Sequence, residues 1–312
     1  MKIGVAGAGA VGCFFGALLS KAGHEVIYLA RGSHYETMKM NKLQVDTEAG
    51  LLTVEGEFTD LPKDLGEVDL VLFCVKSTAT KELAEQLHGI VKKSTLILTM
   101  QNGVENEEIL SRIFGINRMI SSATYVQALI ESPGKIKQRG NVQLVMGPLD
   151  FSIHNEVMAI VKMFQQAGVH TTHSDAILEE KWKKFVWNAT FNPLSAVSCA
   201  EVGEILDDPN LRKTAETLCM EVIDLAIKSG IKFDKKLMVS QIFLKSERAR
   251  GHRTSMLQDR LNGKRMEVEA LCGFIVRKGA QLNIATPAFQ TVFSILNYID
   301  DKIEHPTSIE AQ

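Results

Sequence analysis

The chain is 312 residues long, with a formal net charge of −2 at pH 7, 45% hydrophobic residues and 23% charged ones. That length suits one large domain or two ordinary ones, each with its own core. The near-neutral balance gives no general attraction for nucleic acid or for an anionic membrane, so any basic site must be local.

The first half alternates strands and helices. KIGVAGA (2–8) reads as a short buried strand, AVGCFFGALLSKAG (10–23) as a helix closed by Gly23, and HEVIYLAR (24–31) as a second strand. Ser33 and Glu36 have the spacing of a capping box that opens a short helix. KLQVDTEAGLLTVEGEF (42–58) alternates around Gly50 like a hairpin. VDLVLFCVK (68–76) is a nearly continuous apolar run, as in a central parallel strand. A helix over 78–92, the strand TLILTM (95–100) and a helix after Gly103 follow. Three short β-like runs come next, MISSATYVQAL, GKIKQRG and VQLVMG, then a helix near 155–167 and GVHTTHS. This is an α/β pattern with a parallel sheet. From about residue 173 almost every segment reads as helix, ending in TPAFQTVFSILNYIDDKIE with Thr286 before Pro287. The expected organisation is therefore a sheet domain over 1–172 and an all-helical domain over 173–312.

No segment reaches the roughly 18 uninterrupted apolar residues of a membrane span, and nothing at the N-terminus reads as a signal peptide. The five cysteines form no C-x-x-C pair and the eight histidines no H-E-x-x-H, so spacing indicates neither a disulfide framework nor a metal site. A reducing cytoplasm fits this usage.

GAGAVG places Gly7, Gly9 and Gly12 in G-x-G-x-x-G. It follows a strand and opens a helix inside a βαβ unit, which is the context that gives the pattern meaning. Gly7 permits the tight turn, Gly9 lets the backbone approach a pyrophosphate, and Gly12 lets the helix pack on the strand. The backbone of Gly7, Ala8, Gly9, Ala10, Val11 and Gly12 would then cradle the phosphates of a dinucleotide at the helix N-terminus. At the end of the second strand an acidic residue would favour NAD; this chain has Arg31, whose guanidinium suits a 2′-phosphate, so NADP(H) is the expected cofactor. Lys76 and Asn102 follow the next two strands, at the edge where ligands of such sheets sit. Lys76 would meet a phosphate or a substrate carboxylate, and Asn102 the nicotinamide ribose or the substrate. A solvated lysine and an Asn-Gly turn are the plain alternatives.

Within EKWKKFVWNATFNPLSA (180–196), Lys184, Asn188 and Asn192 stack at i, i+4 and i+8, a polar notch in a helix otherwise flanked by Trp182, Phe185, Trp187 and Phe191. An ammonium in apolar surroundings has its pKa lowered from roughly 10.4. It can then protonate the alkoxide formed when hydride adds to a carbonyl, an effect of roughly 10²–10⁴-fold. The asparagines suit the orientation of hydroxyl or carbonyl oxygens. Lys181 lies on the same stripe and rivals Lys184; Asn192, before Pro193, can instead simply end the helix. Further on, Ser255, Asp259, Glu267 and Glu269 are the polar candidates, with a Ser255–Gln258 capping box and a surface carboxylate as the structural alternatives for Ser255 and Glu267.

Taken in order, GAGAVG, Arg31, Val75–Lys76, QNG, KWKKFVWNATFNPLSA and SMLQD with Glu267 downstream resemble the ketopantoate reductase (2-dehydropantoate 2-reductase) family of 6-phosphogluconate dehydrogenase-like enzymes, over essentially the whole chain. The resemblance implies an N-terminal Rossmann dinucleotide-binding domain followed by an all-helical C-terminal domain, and NADPH-dependent reduction of ketopantoate to pantoate for pantothenate and coenzyme A synthesis. It implies Lys184 as general acid and Glu267 beside the reacting hydroxyl. Asn188, Asn192 and Ser255 would lie on the substrate, Lys76 and Asn102 at the cleft, and Arg31 on the 2′-phosphate. One position departs. Three residues before the SM serine the best-known members carry a substrate-binding asparagine, and this chain has His252. The partner expected is thus a small 2-keto acid, with another 2-keto acid or a non-catalytic NADPH sensor as competing readings. A homodimer is compatible with the sequence, which does not fix the oligomeric state.

Overall fold

The computed structural model describes residues 1–304. The chain divides into two compact units, Met1–Lys181 and Trp182–Gln312.

The first unit runs β1 (Lys2–Ala6), α1 (Ala10–Lys21), β2 (Glu25–Leu29), α2 (Gly32–Asn41), β3 (Leu43–Thr47), β4 (Gly50–Val54), β5 (Glu57–Thr59), β6 (Leu70–Phe73), α3 (Thr80–His88), β7 (Leu96–Thr99), α4 (Asn106–Phe114), β8 (Met119–Ser132), β9 (Lys135–Pro148), α5 (His154–Gln166) and β10 (His170–His173). Its ten strands form one sheet in the order β4-β3-β9-β8-β7-β6-β1-β2-β5, with β10 on β9. From β8 to β5 every pairing is parallel. The order reverses beside β1, between β2 and β6, which is where open α/β sheets leave a crevice for ligand.

The apolar run at β6 explains its central place. Leu70 and Leu72 enter one core with Val5, Phe15 and Leu98, while Val71 and Phe73 enter another with Ile27, Leu87 and Leu110. Alternate residues of one strand thus feed two cores, one per face, as the period of two requires. Helix α1 covers the first face with Phe14 and Phe15; α3 and α4 cover the second with Leu83, Leu87, Leu110 and Phe114.

Two local expectations fail. The Ser33–Glu36 capping box does not form: α2 starts at Gly32 with Arg31 as N-cap and no side-chain cap, which leaves Ser33 inside the first turn. The three β-like runs after residue 118 are two fourteen-residue strands, because GKIKQRG and VQLVMG are both β9. Gly140, at φ +74°, marks the join, and the register against β8 slips between Tyr125 and Gln127. A bulge absorbs residues that read as a break in the sequence.

Helix α6 (Ile177–Ser198) contains the division between the units. The second unit continues with α7 (Val202–Asp207), α8 (Pro209–Lys228), α9 (Lys235–Glu247), α10 (Ser255–Leu261), α11 (Phe274–Leu282) and α12 (Pro287–Glu304), with a π-helical turn over Glu269–Gly273. Aromatic side chains knit it together: Trp182, Phe185 and Phe274 meet edge-on or tilted, as do Trp187, Phe191 and Phe243. Caps set the helix starts. Asp208 accepts the amides of Asn210 and Leu211 ahead of α8, and Asp234 accepts that of Leu237 in α9. Among the described residues no helix is long and apolar enough to cross a membrane.

Candidate functional site

In the first unit the glycine-rich turn joins β1 to α1, and its three glycines are required for three different reasons. Gly7 has φ +100°, and a Cβ there would stand 2.6 Å from Val75 Cγ1 and 2.7 Å from its backbone nitrogen. A Cβ on Gly12 would meet Gly7 O at 2.5 Å and Val5 Cγ1 at 2.7 Å. A Cβ on Gly9 would have nothing within 4 Å. Gly9 is therefore bare toward open space, where a pyrophosphate would approach. The first amide of α1 to bond within the helix is that of Cys13, to Gly9 O at 2.8 Å. Helix geometry leaves the amides of Ala10, Val11 and Gly12 without an intrahelical acceptor, and the first turn carries no acidic side chain to repel an anion.

The register aligns the ends of the neighbouring strands: Ala6 of β1 lies beside Leu29 of β2 and Phe73 of β6, and Phe73 beside Thr99 of β7. Arg31, exposed, follows β2 as the N-cap of α2. Lys76, exposed, follows β6, and Asn102, half-buried, follows β7. The four sequence-predicted elements thus share one edge of the sheet. A polar network missed in the sequence ties these loops together. Gln101 Nε2 donates to Val75 O at 2.8 Å and to Thr80 Oγ1 at 2.7 Å; Thr80 Oγ1 donates to Asn106 Oδ1 at 2.9 Å; and Asn106 Nδ2 donates to Asn102 O at 2.9 Å. Gln101, Thr80 and Asn106 are all buried. A satisfied buried network rigidifies what it joins, and here that is the pair of loops carrying Lys76 and Asn102. The QNG triplet was its one visible sign.

Lys181 differs from the other stripe residues. It is 3% exposed and ion-paired with buried Glu107, whose Oε1 also accepts the Ser121 hydroxyl at 2.7 Å. Its ammonium is committed to a carboxylate.

In the second unit Lys184 and Asn188 are half-buried and Asn192 is buried. Asn192 Nδ2 donates to Ser255 Oγ at 3.4 Å, while its Oδ1 is buried with no partner. Pro193 does not end α6, which continues to Ser198. Arg260 holds the far end by donating to the carbonyls of Ala196 and Val197. The Ser255–Gln258 capping box is absent. Thr254 is the N-cap of α10 and accepts the Leu257 amide at 3.2 Å, and Gln258 Nε2 turns back to Arg253 O at 2.8 Å. That frees the Ser255 hydroxyl from capping, and it meets Asn192 instead. His252 is half-buried, 5.7 Å from the Trp187 ring between centroids, and desolvation pushes its pKa below the usual imidazole value. Glu267 is half-buried between buried Met266 and Val268, two residues before the π-helical turn. Asp300, unremarked in the sequence, fixes that stretch by accepting the Met266 amide at 2.7 Å.

Residues 3–150 match the family model described as ketopantoate reductase PanE/ApbA, and residues 176–300 match that described as ketopantoate reductase PanE/ApbA C terminal. The chain belongs to the ketopantoate reductase family. A 2-dehydropantoate 2-reductase of Pyrococcus horikoshii is 30% identical over 92% of this chain and 93% of its own. The crystal structure of a PanE/ApbA family ketopantoate reductase from Ralstonia eutropha is 32% identical, with a TM-score of 0.88 over 98% of this chain and all of that one. D-mandelate dehydrogenase, in a ternary structure with NADH and anilino(oxo)acetate, has a TM-score of 0.89 over 97% of this chain and all of its own, at 24% identity, a likeness of fold alone.

Proposed function

We propose that the chain reduces 2-dehydropantoate (ketopantoate) to pantoate with NADPH. The observation that carries this reading is Asn192: a buried amide on the polar stripe, bonded to the Ser255 hydroxyl, whose own carbonyl oxygen lacks a donor. An unpaired buried acceptor costs roughly 1–3 kcal/mol, and a substrate hydroxyl would supply the missing proton. The family supports the substrate, since relatives over nearly the full length carry that name.

The residues divide the work as follows. The glycine-rich turn and the first amides of α1 bind the pyrophosphate. Arg31, where an NAD enzyme would have a carboxylate, would hold the 2′-phosphate. Lys76 would meet a cofactor phosphate or the substrate carboxylate, and Asn102 the nicotinamide ribose or the substrate. The bound cofactor supplies hydride. Lys184 donates a proton to the oxygen that hydride addition leaves negative. Asn188, Asn192 and Ser255 orient the substrate oxygens, and Glu267 accepts a hydrogen bond from the new hydroxyl. The five free cysteines suit a reducing cytoplasm. Burial pushes the thiols of Cys13 and Cys272 upward, which keeps them unreactive.

His252 favours a second reading, reduction of another 2-keto acid, because an imidazole beside Trp187 differs from an amide in size and titration. Turnover followed through the absorbance of reduced nicotinamide, with ketopantoate beside a panel of 2-keto acids, separates the two. Fast turnover on ketopantoate that Lys184→Ala abolishes while NADPH still binds supports the first reading. Activity only on another acid transfers support to the second. Tight NADPH binding with no turnover on any acid overturns both.

A further inference from the structure

His173 and Asp175 are two residues apart, His154 lies well upstream of both, and no short metal signature contains the three. The fold gathers them. His154 opens α5, His173 ends β10, and Asp175 lies in the turn that leads to α6. One donor atom from each lies within 4.8 Å of the others. His154 Nδ1 and His173 Nε2 both face Asp175 Oδ1, each at 3.7 Å. The two imidazole rings meet edge to face at 4.9 Å, and Phe151 packs against His154 at 4.7 Å.

The nitrogens that face the carboxylate are both buried and without a hydrogen-bond partner. At 3.7 Å neither is within normal hydrogen-bond distance of Asp175. Two orphaned ring nitrogens aimed at one carboxylate are costly unless a shared ligand satisfies them. Donors on a tetrahedral zinc at roughly 2.0–2.2 Å stand about 3.3 Å apart. Each histidine–aspartate spacing of 3.7 Å therefore needs to tighten by a few tenths of an ångström, and the histidine–histidine spacing, within 4.8 Å, by at most about 1.5 Å. Asp175 is 71% exposed and has room to move inward.

We infer that His154, His173 and Asp175 form a binding site for a late first-row dication, with Zn²⁺ as the reference metal, that clamps the start of α5 to the end of β10. Two imidazoles and one carboxylate match that class; Mg²⁺ and Ca²⁺ prefer oxygen donors throughout. The exposed side of Asp175 leaves water the fourth position. The clamp is structural. His173 lies on β10, which is five strand spacings from β1 through β9, β8, β7 and β6. At roughly 4.8 Å each that is about 24 Å along the sheet from the glycine-rich turn.

The test uses full-length protein stripped with chelator and desalted. Zn²⁺ is titrated in by calorimetry, thermal unfolding is recorded with and without it, and Co²⁺ reports the donor set by its visible spectrum. One equivalent of Zn²⁺ binds, with a spectrum of nitrogen and oxygen donors only. Asp175→Asn and His173→Gln each weaken binding at least about 10-fold, the lower end of the loss seen when a partner around a metal site is removed. At a 100-fold excess over the dissociation constant, Zn²⁺ raises the folded-to-unfolded ratio about 100-fold in the parent and not in the variants. NADPH turnover stays the same with or without the metal. If His173→Gln does not fold, the exposed Asp175→Asn decides alone. No stoichiometric binding, equal binding in Asp175→Asn, or a thiolate charge-transfer band from a site such as exposed Cys199 overturns the inference.

Discussion

Replacing Gly9 by alanine separates cofactor binding from folding in a way that its two neighbours in the motif do not. Gly9 sits at φ −82°, ψ −161°, extended backbone open to any L residue, and its Cβ would meet nothing within 4 Å. Gly9→Ala should therefore fold normally and gain roughly 0.4–1 kcal/mol from the lower entropy of the unfolded chain. For a protein of this size that raises the unfolding midpoint by a few degrees, at about 2–4 °C per kcal/mol. The methyl would occupy the space through which a pyrophosphate reaches the amides of α1. Losing one charge-assisted hydrogen bond costs roughly 1.5–3 kcal/mol, which is about a 10- to 100-fold weaker dissociation constant for NADPH. Gly7→Ala is the control. Its φ of +100° strains any side chain, and its Cβ would press on Val75 within 3 Å, so it should lose at least roughly 1–3 kcal/mol of stability. Thermal unfolding and a fluorescence titration with NADPH measure both quantities on the same samples. NADPH binding as tight in Gly9→Ala as in the parent, or a destabilisation equal to that of Gly7→Ala, would refute the assignment of Gly9 to the phosphate approach.

Lys181→Met strands the buried Glu107 carboxylate and should cost roughly 3–5 kcal/mol in thermal or denaturant unfolding, most of it recovered by adding Glu107→Gln; no coupling between the two would mean that the pair is not what holds Lys181. Arg31→Ala should weaken NADPH binding at least about 10-fold while leaving NADH nearly unaffected, measured by parallel titrations; equal losses would remove Arg31 from the 2′-phosphate. His34 accepts the Gly134 amide on Nδ1 at 3.0 Å, and desolvation holds its pKa below the ordinary value of 6.5. Below that pH the unfolded chain binds more protons than the native one, so this contribution to stability is full at higher pH and is lost as pH falls through the unfolded value toward the folded one. Unfolding midpoints between pH 7 and 5 should fall less steeply in His34→Gln; an unchanged slope would assign the effect to other groups.

Much of the nucleotide-binding half was legible because its signals are local. Gly7, Gly9 and Gly12 are dictated by one turn, and the buried run of β6 by its own composition. The polar notch at Lys184, Asn188 and Asn192 was legible for the same reason, since one helix sets the spacing. Expectations failed where two local rules competed. Ser33 and Ser255 each had the spacing of a capping box, yet the helices began at Gly32 and after Thr254. A cap depends on where the chain bends into the helix, and the neighbouring packing sets that. Gly140 read as a strand end and became a bulge because β8 supplied a partner on both sides of it.

By itself, then, the sequence determined most of the succession of elements, the parallel part of the sheet, the phosphate turn and the stripe on α6. Each follows from residues within one or two turns of one another. Only the tertiary structure decided that Lys181 is spent on Glu107, seventy-four residues away, and that Ser255 serves Asn192 rather than its own helix. It also joined Gln101, Thr80 and Asn106, and brought His154, His173 and Asp175 to one point. Those choices depend on which groups meet after burial, where an unpaired charge or hydrogen-bonding group is costly and the nearest partner in space takes precedence over the nearest in sequence.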